Sequence, residues 1–303
     1  MPHAFRRVAL IGKQRSPETT ASLHELRALL AEHGCNVLLE RETAAGLGVG
    51  ERGADYEAIG AGADLAIVVG GDGTMLSAAR NLVRHRVPLV GVNLGRVGFM
   101  TDIARTDMHA SIGAILEGRY KLEERSLLDA EIRRDGGSML RTLALNEAVV
   151  GKGSQGRLIE FEVYIDGEYV YTLRADGVIV ATATGSTAYA LSAQGPILHP
   201  AVPALALVPL NPHTLSARPV SVTDRSVIEI VLVRALDARA HFDGYALADM
   251  AQGDRLVLRR STDMVRFVHP QGYSYFVMLR EKLRWSESVG RDRDADPRDP
   301  EPD

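Results

Sequence analysis

The chain has 303 residues, a formal net charge of −4, and hydrophobic and charged fractions of 46% and 24%. These values are typical of a globular protein with a full apolar core, and they give no sign of a basic surface for nucleic acid or anionic lipid. The single cysteine, Cys35, excludes an intrachain disulfide and favours a reducing compartment. Because no apolar run approaches the length of a transmembrane helix, we expect a cytoplasmic protein with no membrane partner.

Strand-like and helical patterns alternate through the N-terminal part of the chain. Strands are predicted at 8–11, 37–39, 65–69 and 89–92. One helix is predicted to begin after Ser16, with Pro17 at its first position, and to end at Gly34. Further helices are predicted at 75–83 and 108–116. Strands separated by helices predict a parallel, doubly wound sheet.

From about residue 122 the pattern changes to the two-residue period of strands. The segment FEVYIDGEYVYTL alternates apolar and polar positions on both sides of Asp166-Gly167, which predicts a β-hairpin. The predicted fold class is therefore α/β plus all-β. We expect an α/β domain at 1–120, a β-rich domain at 121–270, a helical segment at 271–287 that packs back on the first domain, and a disordered tail at 288–303.

The glycine-rich segment Gly70-Gly71-Asp72-Gly73-Thr74 lies directly between the third predicted strand and a helix. At the end of a parallel strand, backbone N–H groups and a helix N-terminus form an anion site. Two interpretations stay open here. Either this is a tight turn with Asp72 as helix N-cap, or the glycines approach phosphates while Asp72 acts as a base or orients a hydroxyl. A second pattern, G-x-G-x-x-G at 48–53, trails the second strand by several residues and is interpreted as a flexible loop.

Two polar clusters in the second part contain further candidate residues. The turn Thr184-Gly185-Ser186-Thr187, followed by Tyr189 and Ser192, suits hydrogen bonds to a sugar and a ring stacked on a purine. The alternative is a polar turn before a helix, which would not require Asp176 upstream. Asn146 and Glu147 lie side by side in an apolar strand. Since adjacent strand residues face opposite sides, we expect one of the two to be buried or to line a cleft.

These residues together resemble the NAD kinase family, from the first strand to about Trp285. The motifs are GGDGT (70–74), NLGRVGFMTDI (93–103), NEAVV (146–150), ADGVIVATATGSTAY (175–189), SAQGPILHP (192–200) and PHTLSARP (212–219). The resemblance implies transfer of the ATP γ-phosphoryl group to the 2′-hydroxyl of the adenosine ribose of NAD, giving NADP. It also implies a divalent cation, usually Mg²⁺, ATP as phosphoryl donor, and a homodimer or homotetramer.

By matching position, the resemblance implies that Asp72 is the catalytic base and that residues 121–270 are the NAD-binding domain. Tyr189 would lie near the adenine, and no metal-ligating residue is assigned. Tyr245 departs from the family, which commonly has Gln there. The other residues implied to contact NAD or ATP are Gly70, Gly71, Gly73, Asn146, Glu147, Arg157, Arg174, Asp176, Thr184, Thr187, Ala188, Ala190, Leu191 and Ser192.

Two other functions stay open. A lipid kinase of the diacylglycerol-kinase type also uses a Gly-Gly-Asp-Gly loop, but it would need an apolar or basic surface for membrane docking. A dinucleotide-sensing protein would bind NAD without consuming ATP, and it would not need Asp72.

We predict that truncation after Glu287 leaves activity and melting temperature nearly unchanged, because residues 288–303 are too polar to offset their ordering entropy. Thermal unfolding and an NADP-formation assay on the truncated chain check this. A large drop in either quantity would show that the tail docks on the folded part.

Overall fold

The computed structural model describes residues 5–12, 16–48, 52–95, 98–154 and 156–285. The tail predicted to be disordered, 288–303, and residues 49–51 of the G-x-G-x-x-G segment lie outside these ranges. Within them, no helix has the length and apolar character needed to cross a membrane.

Strands and helices alternate in the N-terminal part. Their order is β1 (Arg7–Gly12), α1 (Pro17–Glu32), β2 (Asn36–Leu39), α2 (Arg41–Leu47), α3 (Tyr56–Gly62), β3 (Leu65–Val69), α4 (Asp72–Leu82), β4 (Leu89–Asn93), β5 (Ile103–Ala104) and α5 (Met108–Leu116). The strands and helices predicted here are present, although α4 begins three residues before its predicted start. The short helices α2 and α3 were not predicted.

Helix α1 has the boundaries that its sequence indicates. The Ser16 hydroxyl accepts a hydrogen bond from the Thr19 N–H at 3.1 Å, and Pro17 occupies the first helical position. Leu26 is buried on the face that packs against the sheet. Gly34 takes a left-handed conformation with φ 68° just past the helix end, as glycine at a helix C-terminus commonly does.

Helices cover both faces of the parallel sheet, in which the spatial order is β2-β1-β3-β4. Helices α1 and α5 pack on the face that contains Leu10 and Ile67, whereas α3 and α4 pack on the face that contains Ala9 and Val68. The strand order reverses between β1 and β3, and ligands of open α/β sheets bind in the crevice beyond the strand ends at such a point. The segment 70–74 follows β3 at this crevice.

The second part is β-rich, as predicted. Its elements are β6 (Tyr120–Arg134), β7 (Gly137–Ala144), β8 (Glu147–Lys152), β9 (Ile159–Ile165), β10 (Glu168–Ala175), β11 (Gly177–Ala181), α6 (Tyr189–Ser192), β12 (Ala204–Leu210), β13 (Val220–Thr223), β14 (Ile228–Arg234), β15 (Ala238–Phe242), β16 (Ala246–Met250), β17 (Arg255–Pro270) and α7 (Tyr275–Leu283). The predicted hairpin is present as β9 and β10, with φ 53° at Asp166 and 83° at Gly167, the positive values that a type I′ turn requires.

Strand β17 joins the parallel and antiparallel strands into one sheet. It pairs in parallel with β4 at Phe267 and Leu89, and antiparallel with β6 and β14. Among the described residues this sheet has eleven strands, with β10-β9-β14-β17-β4-β3-β1-β2 as its main path. A six-stranded sheet, β13-β12-β11-β8-β15-β16, stacks on its antiparallel part and buries Phe161 and Phe242 between the layers. The α/β plus all-β class is thus confirmed, and the domain boundaries stay a prediction.

Helix α7 lies in the C-terminal segment that was predicted to be helical. Its buried face, formed by Tyr275, Met278 and Leu279, packs against Phe99 of the N-terminal part and Ile197 of the second part. The C-terminal helix therefore contacts both parts of the chain.

We predict that Phe161→Ala lowers the free energy of unfolding by about 3–5 kcal/mol, because the ring is fully buried between the two sheets. Urea unfolding of the variant and the wild type measures the difference. Phe276→Ala is the matched control, since that ring is 60% exposed, and we expect it to cost under about 1 kcal/mol. Equal costs for the two variants would contradict the described core.

Candidate active site

The carboxylate of Asp72 lies at the start of α4 and is fixed by the loop before β5. Gly71 is the N-cap of α4, and Asp72 is the first helical residue with no capping hydrogen bond, so the N-cap interpretation of Asp72 was wrong. The Asp72 carboxylate instead accepts hydrogen bonds from the Phe99 N–H at 2.9 Å and the Met100 N–H at 3.1 Å. The Thr101 hydroxyl donates a third at 3.3 Å. These donors set the orientation of the carboxylate at the crevice.

Two glycines make the approach between the Asp72 carboxylate and this loop possible. A Cβ on Gly98 would lie 2.0 Å from the Asp72 Oδ1 atom, which is far too close for any side chain. A Cβ on Gly91, in β4, would lie 2.7 Å from the Met100 carbonyl oxygen. Glycine at both positions therefore lets the loop lie flat against the sheet and reach the carboxylate.

Asn146 and Glu147 are both buried, each 7% exposed, whereas the sequence predicted that one of the two is buried or lines a cleft. The reason is the turn between β15 and β16. The Asp243 carboxylate accepts hydrogen bonds from the backbone N–H groups of Leu145, Asn146 and Glu147, at 2.9, 2.7 and 3.2 Å. This turn covers the start of β8 and closes it off from solvent.

The polar turn 184–187 packs directly on the backbone of Asn146. A Cβ on Gly185 would lie 2.0 Å from the Asn146 carbonyl oxygen, which explains why the turn contains glycine at that position. The Thr187 hydroxyl donates to the Thr184 carbonyl at 3.2 Å, and Thr184 is buried. The turn thus brings its hydroxyl groups beside the Asn146–Glu147 segment.

Tyr245 connects the glycine-rich loop with the second sheet. Its hydroxyl donates to the Gly73 carbonyl at 2.8 Å, and the Arg80 guanidinium lies over its ring at 4.4 Å from the centroid. Because Tyr245 is in the same turn as Asp243, one turn contacts both the start of α4 and the start of β8. The glycine-rich loop at Gly73 and the polar pair at Glu147, which are 74 residues apart in the chain, therefore meet around this turn.

Two cavities flank the β15–β16 turn. A cavity of about 530 Å³ on the second sheet is lined by Glu147, Lys152, Asp176, Tyr189 and Asn211, among others. A second cavity, of about 420 Å³, lies at the β1/β3 crevice. Its lining consists of Ile11, Gly12, Glu40, Glu42, Tyr56, Gly73, Thr74, Ser77 and Tyr245. We call the second of these the crevice cavity.

The structure brings some of the predicted contact residues together and leaves others apart. Glu147, Asp176 and Tyr189 share the cavity on the second sheet, whereas Gly73 lines the crevice cavity. Ser192 lies beside Tyr189 in an adjoining cavity of about 320 Å³.

Other predicted residues do not line the two main cavities. Arg157 and Arg174 are exposed and line neither. The Ala190 side chain is fully buried in an apolar cluster, and those of Ala188 and Leu191 are half-buried.

Sequence reasoning missed several residues at the site. Lys152 and Asn211 bind Asp176 from two sides, with the Lys152 Nζ atom 2.6 Å from Oδ1 and the Asn211 Nδ2 atom 2.9 Å from Oδ2. Strand pairing between β8 and β11 sets this contact, so no local pattern could have shown it. The sequence does indicate a turn at Asp243, because Asp-Gly between two alternating runs predicts a hairpin. No sequence pattern indicates that its carboxylate accepts hydrogen bonds from the start of β8.

The site contains a closely spaced pair of buried carboxyl groups. Burial, with a smaller contribution from the Asp243 charge, raises the pKa of Glu147 to about 7. Burial also raises the pKa of Asp243, although its three backbone N–H bonds oppose that. Since those bonds favour the charged form of Asp243, Glu147 is the member of the pair that holds a proton near neutral pH.

Three buried polar atoms at the site have no hydrogen-bond partner among the described residues: Thr74 Oγ1, Asn146 Oδ1 and Glu147 Oε2. Leaving such an atom unpaired costs about 1–3 kcal/mol. Thr74 lines the crevice cavity and Glu147 lines the cavity on the second sheet, whereas Asn146 lines neither. Among the described residues, no group of three or more His, Cys, Asp or Glu side chains is arranged to hold a metal ion.

A fixed carboxylate beside the open first turn of a helix suits phosphoryl transfer to an alcohol, and this places the chain among the nucleotide-binding phosphotransferases. Sequence comparison agrees. The model of the ATP-NAD kinase N-terminal domain matches residues 8–120, and that of the C-terminal domain matches residues 145–270. The chain belongs to the NAD kinase family.

Individual relatives extend over almost the whole chain. NAD kinases of Aromatoleum aromaticum and Azoarcus sp. are 57% and 55% identical, covering 96% and 93% of this chain and 98% and 97% of theirs. The crystal structure of yeast NADH kinase complexed with NADH is similar with a TM-score of 0.87 and 25% identity, over 95% of this chain and 90% of that one. An Archaeoglobus fulgidus NAD kinase in complex with ATP gives 0.73 and 26%, over 92% and 98%. The resemblance seen in the motifs is confirmed, and it disfavours the lipid-kinase alternative.

We predict that Glu147→Gln stabilises the protein relative to the wild type as pH rises from about 5 to about 8. The folded-state pKa of Glu147 is about 7 against a usual value of 4.5, so the folded wild type loses stability as pH rises through this window. The uncharged Gln does not titrate, so the free energy of unfolding of the variant should gain up to about 3 kcal/mol relative to wild type.

Urea unfolding at both pH values measures this relative change. Glu168→Gln, at an exposed position in the β9–β10 hairpin, is the control for removal of a carboxylate. A relative change no larger than that of the control would contradict the raised pKa of Glu147.

Proposed function

We propose that this NAD kinase family member transfers the γ-phosphoryl group of ATP to the 2′-hydroxyl of the adenosine ribose of NAD, yielding NADP and ADP. The observation that carries the proposal is the Asp72 carboxylate, fixed by two backbone N–H groups and a hydroxyl at the start of α4. Family membership and the two related structures, one complexed with NADH and one with ATP, support the choice of substrates.

Asp72 is the proposed catalytic base. The acceptor is an alcohol, which is a weak nucleophile at neutral pH, so a carboxylate that accepts or aligns its proton assists the attack on phosphorus. The N-terminus of α4 favours negative charge, and the glycines Gly70, Gly71 and Gly73 leave the backbone open to phosphate oxygens. The repulsion between Asp72 and phosphate is thereby reduced.

The cavity of about 530 Å³ on the second sheet is the proposed site for NAD, and we call it the dinucleotide cavity. Asp176 accepts from Asn211 and pairs with Lys152, which lowers its pKa, and its charged oxygens can also accept ribose hydroxyls. The Tyr189 ring is 48% exposed at the cavity wall, where it can stack on a base. Glu147 also lines this wall, and its Oε2 atom has no hydrogen-bond partner among the described residues.

Thr184, Thr187, Ala188, Ala190, Leu191 and Ser192 complete this proposed wall. The buried members contribute backbone groups and packing, because their side chains lie in the core. We also propose that Arg157 and Arg174 contact NAD or ATP, and this part of the proposal rests on the resemblance alone.

A divalent cation, Mg²⁺ above all, is part of the proposal. Mg²⁺ commonly keeps several waters and binds through substrate phosphates with few protein ligands. When bound with ATP, the cation would neutralise phosphate charge during transfer. We assign no protein ligand to it.

A homo-oligomeric state and a cytoplasmic location complete the proposal. The resemblance implies a dimer or tetramer. The almost fully exposed Leu215 and the edge strand β13, with Val220 exposed, offer apolar surface for another copy of the chain. The single cysteine, which is buried and unpaired, agrees with a reducing compartment.

We predict that Asp72→Asn lowers kcat for NADP formation by about 10²–10⁴-fold, since the amide cannot accept the proton of the alcohol. NAD affinity should change little, because Asp72 lies outside the lining of the dinucleotide cavity. Steady-state kinetics and equilibrium binding of NAD measure the two quantities.

Asp64→Asn is the matched control for the Asp72 variant. Asp64 also accepts two backbone N–H bonds, from Arg6 and Arg7 at 3.1 and 2.9 Å, but it lies away from both cavities. We expect this variant to lose stability without losing kcat. Wild-type kcat in Asp72→Asn would show that Asp72 is structural. Absence of ATP-dependent NADP formation by the wild type, with NAD still bound, would favour the dinucleotide-sensing alternative.

A further inference from the structure

A buried charged network lies behind the loop that holds the Asp72 carboxylate. Asp102 lies at the end of this 98–102 loop. Its Oδ2 atom is 2.9 Å from the Nδ1 atom of the His269 imidazole on β17, and the two side chains form a hydrogen bond. The other ring nitrogen, Nε2, lies 3.1 Å from the Glu123 Oε2 atom on β6. The exposed fractions of the three side chains are 8% for Asp102, 1% for His269 and 17% for Glu123. The imidazole therefore lies between two carboxylates, hydrogen-bonded to Asp102 and within ion-pair distance of Glu123.

The charges around the ring favour the imidazolium. Arg125, 3% exposed, pairs with Glu123 at 3.3 Å, so Asp102, Glu123 and Arg125 together carry one net negative charge that a protonated ring neutralises. Burial by itself lowers the pKa of His269, but the contacts with Asp102 and Glu123 outweigh it, and the pKa is raised. Burial opposes ionisation of Glu123 too, yet His269 and Arg125 lower its pKa to about 2.

The remaining titratable groups near His269 come from the segments that follow and flank β17. The Tyr273 ring stacks on the imidazole at 3.9 Å between centroids and 9° between planes. Lys121, which lies opposite His269 in the β6–β17 register, has its Nζ atom 5.8 Å from the centroid of the Tyr273 ring. Tyr275 of α7 is close enough for the charges of Arg125 and Glu123 to act on it. These aromatic neighbours exclude water from the ring and hold it in one plane.

The network reaches the proposed base through three consecutive residues. Asp102 follows Thr101 directly, and Thr101 and Met100 are two of the donors to the Asp72 carboxylate. The Thr101 hydroxyl also receives a hydrogen bond from the Asn93 amide at 2.8 Å. A shift of Asp102 would therefore move the donors that orient Asp72.

We propose that His269 is a positioning residue for phosphoryl transfer, which in its protonated form anchors Asp102 and so holds the 98–102 loop in the geometry that orients Asp72. This inference rests on the proposed role of Asp72 as the base. A displacement of about 1 Å at a reacting group can cost on the order of 10²-fold in rate. A residue that holds the loop in place can therefore control kcat without touching the substrate.

The test compares wild type, His269→Gln, Asp72→Asn and the double variant, all as the full chain. We expect His269→Gln to lower kcat by about 10–100-fold while the dissociation constant of NAD stays within about three-fold. In the Asp72→Asn background the same change should lower kcat by less than about three-fold, because there is no base left to position. His109→Gln, in an exposed pair with Glu25, is the matched control and should keep wild-type kcat.

A purely structural role for His269 predicts a different pattern. His269→Gln would then lower the melting temperature with wild-type kcat per NAD-binding site, or its loss of kcat would be as large in the Asp72→Asn background; either result overturns the proposal. Wild-type kcat in Asp72→Asn itself would instead overturn the role of Asp72.

If His269→Gln does not fold, Asp102→Asn replaces it in the same comparison. That variant leaves the ring in place and keeps an acceptor oxygen, so we expect a smaller loss of kcat that also disappears in the Asp72→Asn background. Wild-type kcat in Asp102→Asn would overturn the proposal.

Discussion

The hydrogen bonds from Leu145, Asn146 and Glu147 to the buried Asp243 carboxylate fix the start of β8 against the β15–β16 turn. Without them, three backbone N–H groups would be buried and unpaired, at a cost of about 1–3 kcal/mol each. The same turn reaches the start of α4 through the Tyr245 hydroxyl. One short hairpin turn therefore sets the distance between the glycine-rich loop and the dinucleotide cavity, which belong to different parts of the chain.

The site contains buried polar groups that have no hydrogen-bond partner among the described residues, and their burial costs free energy. Glu147 keeps a proton near neutral pH because burial and the nearby Asp243 charge disfavour its ionised form. The oxygens of Thr74 and Asn146 are buried with no partner among the described residues. Buried polar groups of this kind discriminate strongly against ligands that cannot pair with them.

The 98–102 loop connects two carboxylates that have different surroundings. Asp72 binds residues 99–101 of the loop, and Asp102 is its last residue. Asp72, at the start of α4, is oriented by three neutral donors. Asp102, behind the loop, faces the buried imidazole of His269 and takes no part in the crevice. Under the proposed role of Asp72 as the base, this division lets the charged network act on the base from outside the crevice cavity. Tyr245 supports the start of α4 through the Gly73 carbonyl.

The sequence alone determined the alternation of strands and helices, the Asp166-Gly167 hairpin, and the position of Asp72 after a buried strand, because these depend on local periodicity and on backbone conformations that few residues adopt. It also carried the motifs of the family. Tertiary structure alone decided that Asp72 binds the loop before β5 rather than capping its helix, that Asn146 and Glu147 are both buried, and that Lys152 and Asn211 hold Asp176. It likewise brought His269 beside Asp102, 167 residues away. Each of these contacts joins segments distant in the chain, and strand register and the packing of two sheets, which no local pattern contains, determine which side chains meet.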